Sequence, residues 1–270
     1  MRLFHKKESK DRSQETSEHN YKESTKEIIG RVNCPHQVFV EGSQPDVVNQ
    51  AYRKAQERGR QEGFVPILVQ SDDTLAEWLG ILDDESYSRE SVLQQDRQDA
   101  GEILKQRYED CMEIYEDPSV DRETWENERD NELMGRMEGG EQLDILTSFV
   151  SFTGNGIVET ILFEIPVENP WEVVAWMPVG GWNECPEASE MMEVCRYWYE
   201  KYGAVPAAFS HDTMEFVLDK PAGDEETAWE VAREHYAFCP DRVDQGTATG
   251  TLGELADSIR VSTVWYFWWD

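Results

Sequence analysis

The chain has 270 residues, of which 56 are acidic and 25 are basic, so its formal net charge at pH 7 is −31. A chain of this length forms one large domain or two small ones. An acidic surface repels nucleic-acid phosphates and anionic membranes, and it attracts basic proteins. The composition therefore argues against nucleic-acid and membrane partners and favours a basic protein partner. Solubility, or adaptation to a salty cytoplasm, is the other interpretation of the charge.

The sequence shows no export or membrane signal. Its first residues lack the apolar stretch of a signal peptide, and no run approaches the roughly 18 apolar residues of a membrane helix. The five cysteines are odd in number and show no C-x-x-C spacing. This pattern predicts reduced thiols, a cytoplasmic location, no structural metal and no cofactor.

The N-terminal third divides into a polar tail and a short α/β segment. Residues 1–30 are polar and poor in aromatic side chains, which predicts a disordered tail. Residues 31–87 predict a β-α-β-α unit: "HQVFVEG" and "FVPILVQ" are strand-like, and each is followed by a helical pattern. Because both strands are short of polar residues on either face, we expect a parallel pair covered by helices.

Residues 88–140 predict an acidic helical hairpin. Apolar side chains recur at helical spacing between Leu93 and Tyr115, and Asp117-Pro118 ends that pattern. A weaker helix follows and closes at Gly139-Gly140. Residues 71–145 contain 24 acidic and 7 basic side chains. We therefore expect this hairpin to face a partner or respond to salt, and to lie outside the core.

Residues 141–270 predict a C-terminal mixed α/β domain. "ILTSFVSFTGNGIVETILFEIP" suggests a hairpin about Asn155-Gly156, and "WEVVAWMP" suggests a strand. "CPEASEMMEVCRYWYEKYG" predicts a helix closed by Gly203. The buried face of that helix would contain Met191, Cys195, Trp198 and Tyr202.

The last 70 residues predict a hairpin, two helices and a terminal strand. "AVPAAFSHDTMEFVLD" places His211-Asp212 in a turn, and "GDEETAWEVAREHYAFCP" and "TLGELADSIR" are helical. The closing "VSTVWYFWWD" is apolar on both faces as a strand, so we expect it to complete the core. The predicted fold class is therefore α/β (mixed α+β): a β-α-β-α unit, an acidic hairpin, and a mixed sheet with flanking helices.

Four of these segments resemble a known family. "NPWEVVAWMPVGGWNECP", "YWYEKYGAVPAAFSHDTMEF", "AREHYAFCPDRVDQG" and "STVWYFWWD" resemble the family called domain of unknown function 4253 (DUF4253), and "VVNQAYRKAQERGRQEGFVPILVQSDDTLAEWL" is similar to the N-terminal part of its longer members. The resemblance covers roughly residues 31–85 and 157–270. It implies a compact, intracellular bacterial domain, and it carries over no activity, cofactor or catalytic residue.

The candidate catalytic residues are Cys185 and His211. Cys185 lies at the start of a helix, where the helix dipole lowers the pKa of a thiol, and His211 lies in an accessible turn beside a carboxylate. A loop cysteine and an unrelated turn histidine are the other interpretation. His235 and Cys239 have metal-ligand spacing, but their apolar helix face favours a core histidine, so we predict no metal site.

The motif "PVGGWNECPE" is the best candidate for a ligand-binding loop. Glycines before a helix leave backbone N–H groups free to hold an anion, although an ordinary strand–helix connection has the same sequence. The candidate ligand-binding residues are Gly180, Gly181, Trp182, Asn183, Glu184, His235, Asp241 and Trp268. Two functions follow: a non-catalytic interaction module of the immunity or antitoxin type with an acidic face, or an enzyme or small-ligand binder whose pocket joins this loop, the His211 turn and the C-terminal strand.

Overall fold

The computed structural model describes residues 21–114, 119 and 121–270. Its α-helices are α1 Glu23–Val32, α2 Pro45–Glu62, α3 Asp73–Trp78, α4 Arg89–Leu93, α5 Ala100–Ile114, α6 Arg122–Met134, α7 Ala188–Tyr202, α8 Glu225–Phe238, α9 Asp241–Asp244 and α10 Leu252–Val261. Its strands are β1 His36–Phe39, β2 Val65–Gln70, β3 Thr160–Ile165, β4 Val205–Phe209, β5 Thr213–Val217 and β6 Val264–Trp268. Short 3-10 helices span Leu79–Asp83 and Pro170–Ala175. In the described part of the chain, no helix is both long and apolar enough to cross a membrane.

One six-stranded sheet organises the chain, in the order β1-β3-β2-β4-β5-β6. β2 and β4 are parallel, and the other neighbouring strands are antiparallel. The predicted mixed sheet with flanking helices is thus confirmed. The expected parallel pairing of β1 with β2 is wrong, because β3 lies between them and pairs with both. Both predicted α/β segments therefore contribute strands to the same sheet.

Helices cover both faces of the sheet, so its central strands are apolar on both sides. Along β2, Ile67 contacts the larger core and Leu68 the smaller one, and both are fully buried. Val48 and Tyr52 attach α2 to the smaller core. α1, α3, α5, α7, α8 and α10 pack into the larger core on the opposite face.

The terminal strand completes the larger core, as expected. Trp265 is 2% exposed and Phe267 is fully buried. The Phe267 ring stacks on Trp198 at 5.4 Å between centroids and contacts His235 at 4.6 Å. The last aromatic residues of the chain therefore close a cluster that α7 and α8 begin.

The acidic segment is not outside the core. Leu104 and Cys111 of α5 are buried in the larger core, and the Arg107 guanidinium donates to the backbone carbonyls of Glu184 and Ala237. The expectation that this segment avoids the core is therefore wrong for α5, because its apolar stripe packs on α7 and α8. Leu133 of α6 is also buried. The predicted helix stop at residues 117–118 lies outside the described residues.

The predicted disordered tail is wrong for residues 23–30, which lie in α1. Ile28 is fully buried in the larger core, and the Thr25 hydroxyl donates to the carboxylate of Glu159. A few apolar residues at helical spacing are enough to fix a helix when a sheet supplies the surface that they cover. Residues 1–20 lie outside the described residues.

Two predicted strands have another structure. The first part of "WEVVAWMP" lies in the 3-10 helix Pro170–Ala175. Pro170 in the first turn and the capping box of Asn169 and Glu172 favour the start of this helix. The predicted hairpin about Asn155-Gly156 is reduced to a single bridge between Val150 and Ile157. A short apolar run that is buried all round has no periodicity to distinguish strand from helix.

The other C-terminal elements are confirmed. α7 ends at Gly203, whose φ of +75° is the left-handed conformation that glycine adopts freely. α8 begins after Asp224, which accepts a hydrogen bond from the backbone of Thr227, and α10 begins after Thr251 in the same way. β4 and β5 form the predicted hairpin with His211 in its turn.

Candidate functional site

Several polar side chains lie at the end of the sheet where β2, β4 and β6 end, which we call the carboxyl edge. In α/β sheets, ligands bind where parallel strands end. Here Ser71-Asp72 follows β2, and residues 210–212 connect the parallel strand β4 to β5. Because β6 also ends beside the start of β5, Trp268 lies at the same edge.

His211 lies between two carboxylates at the carboxyl edge. Its Nδ1 is 3.0 Å from Asp72 Oδ2, and its Nε2 is 3.4 Å from Asp212 Oδ2. The side chain is 33% exposed, so solvent can reach it. Asp212 also accepts hydrogen bonds from Ser210 Oγ at 2.7 Å and from Trp268 Nε1 at 3.0 Å. The imidazole is therefore held in one orientation by residues from three strand ends.

Asp72 is the orienting residue that sequence reasoning missed. It is 139 positions from His211, and its carboxylate also caps α3 by accepting from the backbone N–H of Leu75 at 2.8 Å. A helix cap directly after a buried strand was visible in the sequence. Its proximity to His211 follows from the parallel pairing of β2 with β4, which the sequence does not show.

A tryptophan joins the predicted loop to the predicted turn. The Trp78 ring lies 5.5 Å from Trp182 of the GGWNEC loop and 6.1 Å from the ring of His211. Trp268 reaches the same turn through its hydrogen bond to Asp212. The loop, the turn and the terminal strand therefore do converge, with the end of α3 between them.

Cys185 does not have the features of an activated nucleophile. Its residue is 6% exposed, and burial raises the pKa of its thiol to about 12, so the thiol is protonated at pH 7. Both ring nitrogens of His211 face aspartates. Among the described contacts, none joins Cys185 to His211. The predicted dipole effect is outweighed because the thiol lies inside the larger core.

The GGWNEC loop is closed by its own hydrogen bonds. Gly180 and Gly181 have φ values of +110° and +78°, and Gly181 N donates to the carbonyls of Cys185 and Pro186, each at 3.2 Å. A Cβ on Gly181 would lie 2.8 Å from the Glu187 carboxylate. The Gly181 N–H is thus occupied and a carboxylate lies beside it, which opposes anion binding at that point.

The remaining members of the loop attach it to the rest of the protein. The Asn183 side-chain amide donates to the backbone carbonyl of Asp270, and the carbonyl of Glu184 accepts from Arg107. Trp182 Nε1 is buried without a hydrogen-bond partner among the described residues. The loop therefore connects α5, the carboxyl edge and the C-terminus.

His235 is a core residue. It is 1% exposed and lies 4.6 Å from the rings of both Trp265 and Phe267. Burial lowers its pKa well below the ordinary value, so the ring is neutral. The Cys239 thiol donates to the Trp268 carbonyl at 3.1 Å. The described residues contain no group of three or more His, Cys, Asp or Glu side chains suited to a metal ion.

Asp241 and Trp268 also contribute to a separate cavity. Together they line a cavity of about 520 Å³ beside the outer edge of β6. The Asp241 carboxylate accepts from the backbone N–H of Asp270 at 3.0 Å and from the Gln245 amide at 2.7 Å. A larger groove of about 1070 Å³ is lined by α2 and by the opposite end of the sheet, where β2, β4 and β6 begin.

Comparison with known proteins identifies one family. Residues 161–270 match the family model described as "Domain of unknown function (DUF4253)". No curated protein and no solved structure matches the chain. The matched region runs from β3 to the C-terminus and includes the GGWNEC loop, the His211 turn and the terminal aromatic strand. Residues 161–270 are therefore similar to the DUF4253 family.

Proposed function

We propose that the protein is a non-catalytic interaction module, of the immunity or antitoxin type, that binds a basic protein through an acidic helical face. This face is the exposed surface of α5, α7 and α8. Its exposed acidic residues are Glu102, Glu109, Asp110, Glu200, Glu225, Glu226 and Glu230, and its exposed basic residues are Lys105, Lys201 and Arg233. The excess of carboxylates on one helical layer is the observation that carries the proposal.

Helix α2, on the other face of the sheet, does not have this excess of carboxylates. The exposed acidic residues of α2 are Asp46, Glu57 and Glu62, and its exposed basic residues are Arg53, Lys54, Arg58 and Arg60. A requirement for solubility alone favours charge on every surface. Charge that is separated between the two sides of a sheet instead orients a charged partner as it approaches.

The packing of α5 removes the argument from a segment outside the core, and it fixes the position of the α5 carboxylates. Because Leu104 and Cys111 are buried and Arg107 is bonded to two neighbouring backbone carbonyls, the carboxylates of α5 are presented on a supported helix. A preorganised surface loses less conformational entropy on binding than a mobile one. The free cysteines are compatible with a reducing compartment, and we place the protein in the bacterial cytoplasm as part of the same proposal.

Charge reversal on each layer tests the proposal. The triple variant Glu109→Lys, Asp110→Lys and Glu226→Lys changes the acidic helical face by six charges. The wild-type protein, this variant and a control variant of α2 are each immobilised. The proteins that each one retains from native extract are identified by mass spectrometry at two salt concentrations. We expect one basic protein to be retained by the wild type, to be lost with the face variant, and to be released at high salt.

The matched control is Asp46→Lys, Glu57→Lys and Glu62→Lys on α2, which makes the same change on the other layer. We expect this control to retain the partner as the wild type does. Equal retention by both variants, or equal loss with both, would show that the acidic helical face is not the binding surface.

The carboxyl edge supports a second function, an enzyme or small-ligand binder. The observation in its favour is the imidazole of His211, which Asp72 orients at 3.0 Å beside Trp78 and Trp182. An oriented, accessible histidine has the geometry of a general base. Ligand-observed NMR with a metabolite mixture tests it: a specific ligand should bind the wild type and lose affinity in both His211→Gln and Trp78→Phe. If a ligand binds both variants with the same affinity as the wild type, the carboxyl edge is not its binding site.

A further inference from the structure

The cavity beside β6 contains an arginine side chain that forms no salt bridge with a described residue. Arg242, in α9, is partly buried and lines this cavity of about 520 Å³. Its Nε is fully buried with no hydrogen-bond partner among the described residues, and its Nη1 donates only to the carbonyl of Gly246, at 3.3 Å. No carboxylate of a described residue forms a salt bridge with it.

The lack of a salt bridge at Arg242 coincides with burial. Some other arginines are paired with carboxylates, for example Arg31 with Asp83 at 2.8 Å and Arg260 with Asp257 at 2.9 Å. Burial lowers the pKa of Arg242, which reflects the unfavourable transfer of its charge from water. A partly buried guanidinium that is hydrogen-bonded only to the Gly246 carbonyl among the described residues has N–H groups left for an anionic group.

The carboxylates nearest the cavity have other partners. Glu254 accepts hydrogen bonds from the backbone N–H groups of Ala248 and Thr249, each at 2.8 Å, so it holds the loop over the cavity. Asp241 is bonded to Asp270 and Gln245. The lining thus leaves the Arg242 guanidinium available, although three carboxylates surround it.

The lining also limits the charge of the ligand. Glu141, Asp241 and Glu254 line the cavity with Arg242, which gives a net lining charge of −2. A dianion such as a phosphate would be repelled by the three carboxylates. A ligand with one carboxylate and one protonated amine meets both signs of charge. Glu141 is exposed, and its carboxylate forms no hydrogen bond with a described residue, so it can face the amine.

The cavity walls indicate the rest of the ligand. Tyr266 and Trp268 of β6 contribute aromatic surface and Leu255 of α10 contributes aliphatic surface. A volume of about 520 Å³ falls in the usual range of small-molecule sites, about 300–1,000 Å³. We propose that this cavity binds a free amino acid with an apolar side chain, whose carboxylate pairs with Arg242 and whose ammonium group faces Glu141. This site is separate from the acidic helical face.

Calorimetry on the full chain tests the site. The probes are L-phenylalanine, phenethylamine, which lacks the carboxylate, 3-phenylpropionate, which lacks the amine, and inorganic phosphate. We expect saturable binding of L-phenylalanine and weaker binding of the other three. Arg242→Met removes a charge-assisted bidentate contact and should weaken L-phenylalanine binding by at least about tenfold.

Two controls keep the result specific. Arg53→Met removes an arginine that lines the larger groove, and it should leave L-phenylalanine binding unchanged. Arg242→Met keeps a long side chain but removes the cation from among three carboxylates, so a thermal melt is used to verify that the variant folds. If that variant does not fold, Arg242→Lys keeps the charge, loses the bidentate geometry, and should still weaken binding.

In the wild type, the NMR resonance of the Trp268 indole N–H should shift when L-phenylalanine is added.

Several results would overturn the proposal. These are an absence of L-phenylalanine binding up to about 10 mM, equal binding by phenethylamine, tighter binding of phosphate, or equal weakening in the Arg53 and Arg242 variants. An unchanged Trp268 signal at saturation would place the ligand elsewhere. The acidic helical face would be untouched by each of these outcomes, because it does not include any residue of the cavity.

Discussion

Truncation of Phe267 to alanine tests whether the terminal strand stabilises the fold from within the core. Phe267 is fully buried, and its ring contacts Trp198 at 5.4 Å, His235 at 4.6 Å and Phe238 at 5.0 Å. Truncation of a core phenylalanine costs about 3–5 kcal/mol, because it removes buried apolar surface and leaves a cavity. We expect the upper part of this range, since aromatic rings surround the side chain on several sides.

The expected loss is a large part of the total stability. Domains unfold with about 5–15 kcal/mol, so Phe267→Ala should leave a marginally stable protein. At about 2–4 °C per kcal/mol for a large domain, its melting temperature should fall by about 6–20 °C. Urea denaturation followed by circular dichroism measures the free energy of unfolding, and a thermal scan gives the melting temperature.

Tyr266→Ala is the matched control, one position earlier in the same strand. Tyr266 is only partly buried and lines the cavity beside β6, so its truncation should cost about 1–2 kcal/mol. A loss below about 1 kcal/mol for Phe267→Ala, or equal losses for the two variants, would refute the assignment of the inner face of β6 to the core.

Three further predictions concern burial and backbone geometry. Because burial lowers the pKa of His235 below its unfolded value of about 6.5, the unfolded state binds the proton first. Stability should therefore fall below pH 6.5, by up to about 1.4 kcal/mol per pH unit, and His235→Leu should remove that part of the slope in pH-dependent urea titrations. Cys34 should react with iodoacetamide before Cys185 in the native protein, since Cys185 is buried, and mass spectrometry of alkylated peptides would detect the opposite order. Gly203→Ala should lower the free energy of unfolding by about 1 kcal/mol, because its φ of +75° is unfavourable for alanine while no atom obstructs the new Cβ; an unchanged urea midpoint would contradict this.

Local patterns in the sequence determined most of the C-terminal elements. The spacing of Met191, Cys195 and Trp198 predicted α7 and its buried face, and Gly203 marked its end. The His211 turn and the apolar terminal strand were likewise readable, because capping residues, turn residues and side-chain periodicity act over a few neighbouring positions. Where burial was complete on all sides, as in "WEVVAWMP", periodicity carried no information and the predicted strand was a 3-10 helix.

The tertiary structure alone decided which segments meet. The insertion of β3 between β1 and β2 brought two predicted segments into one sheet, and the parallel pairing of β2 with β4 placed Asp72 beside His211 across 139 positions. The burial of the Cys185 thiol and the position of Arg242 in a cavity lined by α9, α10 and β6 depend in the same way on distant chain segments. Pairing, burial and charge environment arise from contacts between residues far apart in the chain, whereas helix caps and periodic faces arise from neighbours. The sequence by itself therefore determined the elements and the net charge, and the packing of the sheet determined the candidate sites.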